Sequence, residues 1–225
     1  MFCQNYELSR STRGKQITPQ DLADIFKQLE DNGAHNINLV NPTHFLSQIE
    51  KAVEIYKPKI PIVYNTHGYE NINSLEIANN FVDIYLPDLK FFSPLLSKRY
   101  TKIDNYFEVA QNAIKFMMQS KPTVIDNGLM KSGVCVRHLI LPLGAKDSAE
   151  IVKWFAKNAQ NGAYLSLMSQ YTPFGEIEKY PELKRTITKG EYDRVIATVF
   201  DEKIENCLIQ ERESATTKFI PKWDF

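Results

Sequence analysis

Polar residues of site-forming types collect at the ends of apolar runs along this chain. Asn41-Pro42-Thr43-His44 follows one run, Asn65-Thr66-His67-Gly68 the next, and Pro87-Asp88-Leu89-Lys90 the third. Arg137 and His138 sit inside a fourth run that ends in Leu141-Pro142-Leu143-Gly144, and Ser169-Gln170-Tyr171-Thr172-Pro173 closes a fifth. Loops at the C-terminal ends of parallel strands converge on one face, so polar residues confined to those ends are what a binding site needs. Two chemistries are open on residue type. His44, His67 and Asp88 follow three successive runs, and two imidazoles with a carboxylate are a workable zinc set for a divalent-metal hydrolase. Alternatively Asp88 and Lys90, two apart on an extended chain, share a face and offer a charged anchor to a ligand. Alternation sends one of Arg137 and His138 inward, and Arg137 is the one expected there. His35, ahead of its strand, is read as structural.

The elements that must position these residues alternate between strand and helix patterns, which argues for parallel βα units. Thr18 can cap a first helix with Pro19 at its first position and Asp21 at its third. Leu22, Ile25, Phe26 and Leu29 then recur at helical spacing up to Gly33. Further helices are expected over Thr43–Tyr56, Leu75–Phe81, Tyr106–Gln119 and Ser148–Asn158. A last one runs through Phe200 behind a Thr188/Glu191 capping box. Val124–Met130 reads as a hairpin about Asn127-Gly128. Five barrel strands are expected: Asn36–Val40, Ile60–Tyr64, Val82–Leu86, Val134–Leu141 and Ala163–Met168. Residues 1–200 form the barrel on this reading, and 201–225 a tail.

A length of 225 residues suffices for one sizeable core, and 27 basic side chains balance 27 acidic ones. That balance leaves no footprint for nucleic acid and no attraction to anionic lipid. With no long apolar run for a membrane span and no leader pattern, a cytoplasmic location is expected. Cys3, Cys135 and Cys207 are odd in number and widely spaced, which argues against a disulfide framework. Cys135 and Cys207 read as small buried hydrophobes.

The opening run Phe2-Cys3-Gln4-Asn5-Tyr6-Glu7-Leu8-Ser9 resembles the close of the three-cysteine loop in radical S-adenosylmethionine (SAM) proteins similar to pyruvate formate-lyase-activating enzyme. The likeness continues through Gly33-Ala34-His35-Asn36-Ile37-Asn38-Leu39-Val40-Asn41-Pro42-Thr43-His44, with Asn41 in place of the usual threonine. It then includes Ile62–Asn65 with Gly68-Tyr69, Asp83–Lys90, Val136–Pro142 and Ser166–Tyr171, in the family's order.

That resemblance implies a (β/α)6 radical SAM barrel. It also implies a [4Fe–4S] cluster with Cys3 as its third cysteine ligand, and SAM as cosubstrate. The activity implied is reductive cleavage of SAM to a 5′-deoxyadenosyl radical, and the family match suggests activation of a glycyl-radical enzyme. The partners would be a glycyl-radical protein or a small-molecule substrate, and an electron donor such as flavodoxin or ferredoxin. By motif position Asn41, Thr43, Asn65, Asp88, Lys90, Arg137, Gln170 and Tyr171 would line the SAM site. The family's first strand and first two loop cysteines would precede Met1. The expectation is therefore a barrel incomplete at its N-terminus and inactive alone, or a non-catalytic remnant or one half of a split protein.

Overall fold

Local sequence rules set the helix starts. In the computed structural model, which describes residues 14–175 and 177–211, helix α1 (Pro19–Asp31) opens on a complete capping box. The Asp21 amide donates to the Thr18 hydroxyl at 3.1 Å, and the Asp21 carboxylate accepts from the Thr18 amide at 2.8 Å. This satisfies amides that have no partner inside the helix. Its buried side is Ala23 and Phe26 with Leu22 packed alongside; Ile25 and Leu29, expected on that side, are exposed.

The chain continues as β1 (Ile37–Val40), a 3₁₀ turn (Pro42–Phe45), α2 (Leu46–Ile55), β2 (Ile62–Thr66), α3 (Ile72–Ala78) and β3 (Ile84–Pro87). Then come α4 (Pro94–Thr101), α5 (Tyr106–Ser120), β4 (Val124–Asp126), β5 (Leu129–Leu139), α6 (Ala145–Asn158) and β6 (Tyr164–Met168). A 3₁₀ turn (Pro181–Lys184), α7 (Lys189–Asp201) and β7 (Cys207–Ile209) complete it. Several boundaries differ from expectation for identifiable reasons. α2 begins at Leu46 rather than Thr43 because Pro42–Phe45 wind as a tighter turn. β2 begins after Pro61, which has no N–H to give a ladder. α3 begins where the Asn71 side chain accepts from the Ser74 amide, three residues before the expected start.

The sheet has 7 strands in the order β1-β2-β3-β5-β6-β7, with β4 folded back on β5. All of the main-path pairings are parallel. The Asn127-Gly128 hairpin forms as expected, with positive φ at both residues (49° and 78°). The expected strand count of five is corrected by β7, which pairs with β6 and carries the sheet beyond residue 200.

Alternation divides the sheet into two faces. Tyr64, Tyr85, Val134, Val136, Leu165 and Leu167 join the main core, where the Tyr85 hydroxyl reaches the Leu75 carbonyl of α3. Each such large side chain contributes about 1.5–3 kcal/mol by leaving water. The other face carries Val63, Asn65, Ile84, Leu86, Asp88, Cys135, Arg137 and Leu139, in register across β2, β3 and β5. Among the described residues no helix is long and apolar enough to cross a membrane.

Candidate functional site

The second face ends in a charged cluster built by three adjacent strands. Beyond β3 the ladder continues for one bridge, Asp88 beside Arg137, and the Leu89 amide donates to the Arg137 carbonyl at 2.8 Å. Strand geometry therefore persists past Pro87, which brings Asp88, Asn65 and Arg137 onto one face. One terminal nitrogen of Arg137 donates to Asn65 Oδ1 at 2.7 Å and lies 2.7 Å from Asp88 Oδ1. Lys90 Nζ lies 2.5 Å from Asp88 Oδ2. Burial opposes ionisation of Asp88, but the Lys90 ammonium and Arg137 guanidinium outweigh it and hold the carboxyl below its ordinary value. Two cations share one carboxylate, which leaves a positive excess. Arg137 Nε is buried without a hydrogen-bond partner, so one donor of the guanidinium remains open to a ligand.

Tyr106, outside the motifs, and Gly68, within one, hold this cluster in place, and Glu70 ties the turn beside it. The Tyr106 hydroxyl, at the start of α5, accepts from the Lys90 amide at 3.0 Å. It shares its proton between the His67 and Asp88 carbonyls at 2.9 Å each. Gly68 (φ +81°) lies so close to Asp88 that an added Cβ would fall 2.0 Å from its carbonyl oxygen. Only glycine fits there. Glu70 is buried, and its carboxylate accepts from Thr43 Oγ1 at 3.0 and 3.1 Å and from the Thr66 hydroxyl.

The remaining expected residues divide. Arg137 is the inward member of its pair. His138 faces the helices, where Nδ1 donates to the Leu89 carbonyl at 2.7 Å and Nε2 accepts from Ser148 Oγ at 2.8 Å. Asn41 is exposed in a left-handed conformation, its amide donating to the Asn65 carbonyl at 2.8 Å. Thr43 turns its hydroxyl toward Tyr64 and Glu70, away from the charged cluster. Gln170 accepts from Gln210 Nε2 at 3.1 Å, near β7. Tyr171 is buried and donates to the Leu183 carbonyl at 2.7 Å, as a packing residue does. His35 is exposed.

The zinc set does not assemble. Among the described residues no three His, Cys, Asp or Glu side chains gather to hold a metal ion. His44 is exposed, His67 Nδ1 accepts from the Tyr69 amide at 3.1 Å, and Asp88 is engaged by two cations. Nor, among the described residues, is there a set of cysteines to hold an iron–sulfur cluster. Cys3 lies outside the described residues. Cys135 sits within β5 and Cys207 at the N-terminal end of β7, away from the strand ends that build the site, and burial pushes both thiols up to about 11.

No protein-family model matches the chain. A curated relative, the uncharacterized protein MJ0674 of Methanocaldococcus jannaschii, is 28% identical over 206 residues. The match takes in 87% of this chain and 57% of that protein, so the chain spans a little over half of its relative's length. Among solved structures, a domain of pyruvate-formate lyase-activating enzyme from Bacteroides vulgatus superposes with a TM-score of 0.50 at 12% identity. The superposition covers 88% of this chain and 100% of that one. Streptococcus suis SuiB, solved bound to S-adenosylmethionine, gives 0.57 at 14% identity, over 93% of this chain and 46% of SuiB. At these identities what is shared is the fold, a partial (β/α) barrel.

Proposed function

We propose that this barrel binds S-adenosylmethionine at the ends of β2, β3 and β5, as a radical SAM protein of the activating-enzyme-like branch. The observation that carries the reading is the Asp88–Lys90–Arg137 cluster with its positive excess and its open, buried Arg137 Nε. S-adenosylmethionine is an amino acid at one end, with a carboxylate to meet Arg137 and an ammonium to meet Asp88. Asn65 orients the guanidinium, and Lys90 sets the charge of Asp88. Asn41 and Gln170 border the same strand ends, whereas Thr43 and Tyr171 act through packing. The fold it shares with the activating enzyme and with SuiB supports this placement.

One electron delivered to its sulfonium would break the C5′–S bond of S-adenosylmethionine and give methionine and a 5′-deoxyadenosyl radical. The wider reading is hydrogen abstraction from a glycyl-radical protein or a small molecule, with a flavodoxin- or ferredoxin-like donor. Equilibrium dialysis with labelled S-adenosylmethionine under anaerobic conditions tests the binding step. Saturable binding is expected, and Arg137→Met and Asp88→Asn should each weaken it by about tenfold or more, the loss of one charge-assisted contact. Absent binding, or equal affinity in both variants with the fold intact by circular dichroism, would overturn it.

A further inference from the structure

A cavity of about 280 Å³ opens beside Lys90, between the ends of β3 and β5, the helix α4 and the first turn of α6. Its volume lies just below the range for drug-sized ligand sites, roughly 300–1,000 Å³, and suits a smaller molecule. The polar side chains on its wall are engaged with protein partners, the two cations included: Lys90 with Asp88, Arg99 with Glu182 and Ser148 with His138. His138 is neutral, its pKa pushed down to about 4 by burial, and both ring nitrogens are bonded. Asp147 accepts from the Phe92 and Ser93 amides at 3.0 and 2.7 Å. Glu182 accepts from Arg99 Nε at 2.8 Å and from the Tyr100 hydroxyl at 2.9 Å.

What the cavity leaves to an occupant is hydrocarbon: Leu96, Leu139, Leu141, Pro142 and Leu143. Leu143 is informative because it is 71% exposed and has φ of 60°. A branched side chain in that region carries strain of about 1 kcal/mol or more, and exposure returns nothing for it. The conformation is nonetheless held, the Leu143 amide donating to Glu191 at 2.7 Å and the Gly144 amide to the Leu141 carbonyl at 2.9 Å.

We infer that this cavity is the substrate subsite and that it takes a compact, uncharged, largely apolar small molecule, with Leu143 as its outer wall. A peptide segment fits poorly, because its amides would lose water against a mostly hydrocarbon lining. The inference assigns a substrate class to the S-adenosylmethionine site and so rests on that reading.

Methyl-resolved NMR of the whole chain tests it with benzyl alcohol as the apolar probe and glycylglycine as the polar one. Benzyl alcohol should shift the Leu96, Leu139 and Leu141 methyl signals saturably, and glycylglycine should leave them in place. Leu96→Trp, which fills the cavity, should abolish the response. Leu143→Gly relieves the backbone at an exposed position and so keeps the fold, yet it should weaken the probe about fivefold by removing one apolar wall. Unmoved methyls, an equal response to glycylglycine, or a full response in Leu143→Gly would each overturn the subsite. Titrating the same sample with S-adenosylmethionine separates the two readings. If that ligand binds and benzyl alcohol does not, only the subsite falls. If benzyl alcohol binds alone, the cavity stands as an apolar site and its assignment to substrate falls with the proposed function.

Discussion

Glu70 shows what a single residue does here without touching the charged cluster. Its carboxylate receives the Thr43 and Thr66 hydroxyls, and Tyr64 in turn bonds Thr43, so the turn after β1 is bolted to β2 from the helix side. Replacing Glu70 by alanine strips those buried hydroxyls of their acceptor and should cost about 1–3 kcal/mol, with Gln costing less. Urea titration reads this directly, and an unchanged midpoint in Glu70→Ala would refute it. Asn65, Asp88, Lys90 and Arg137 were legible in sequence because alternation places them on one face at strand ends. Glu70 and Tyr106 were not. Glu70 meets Thr43 from 27 positions away, and the partners of Tyr106 lie 16 or more positions away, so both sets arrive only when loops close. The motif positions also suggested that the side chains of Thr43 and Tyr171 face a ligand, whereas their hydroxyls are spent on Glu70 and the Leu183 carbonyl.

At the scale of elements, legibility followed the strength of local chemistry. The two capping boxes, Thr18/Asp21 and Thr188/Glu191, form as read because both partners sit within one turn. α4 and β7 escaped notice for want of such signals. α4 has 8 residues with no side-chain cap, and β7 is a run of 3 that becomes a strand only through β6. The loop from β2 to α3 depends on Gly68, whose backbone passes against Asp88. Gly68→Ala places a Cβ against that carbonyl and strains a left-handed backbone. It should cost more than about 2 kcal/mol and displace Asp88 from Arg137. Thermal melting measures the first effect, and a weaker affinity for S-adenosylmethionine the second; wild-type values for both would count against the packing described.

For the whole molecule the buried imidazole of His138 sets a dependence on pH. Burial lowers its folded pKa to about 4, so between about 6.5 and 4 the unfolded chain binds the proton and the folded one does not. Stability from this residue is therefore complete above about pH 6.5 and is lost as pH falls toward 4, on the order of 3 kcal/mol in all. Asp147 runs the other way: burial raises its carboxyl, so the folded chain takes up that proton first as pH falls toward the ordinary carboxylate value, which offsets part of the loss. Denaturant midpoints across pH 4 to 7 should fall on the acid side in the native protein and flatten in His138→Gln. An equal slope in both would remove His138 as the cause. The Glu191 carboxylate binds the Leu143 amide, the Thr188 amide and hydroxyl, and both arms of Arg185 at once. The cavity rim and the first turn of α7, 48 positions apart in the chain, thus share one anchor. Opening the rim breaks a contact of the carboxylate that caps this helix, so the two are coupled, and whatever steadies the rim adds the same coupling free energy to α7.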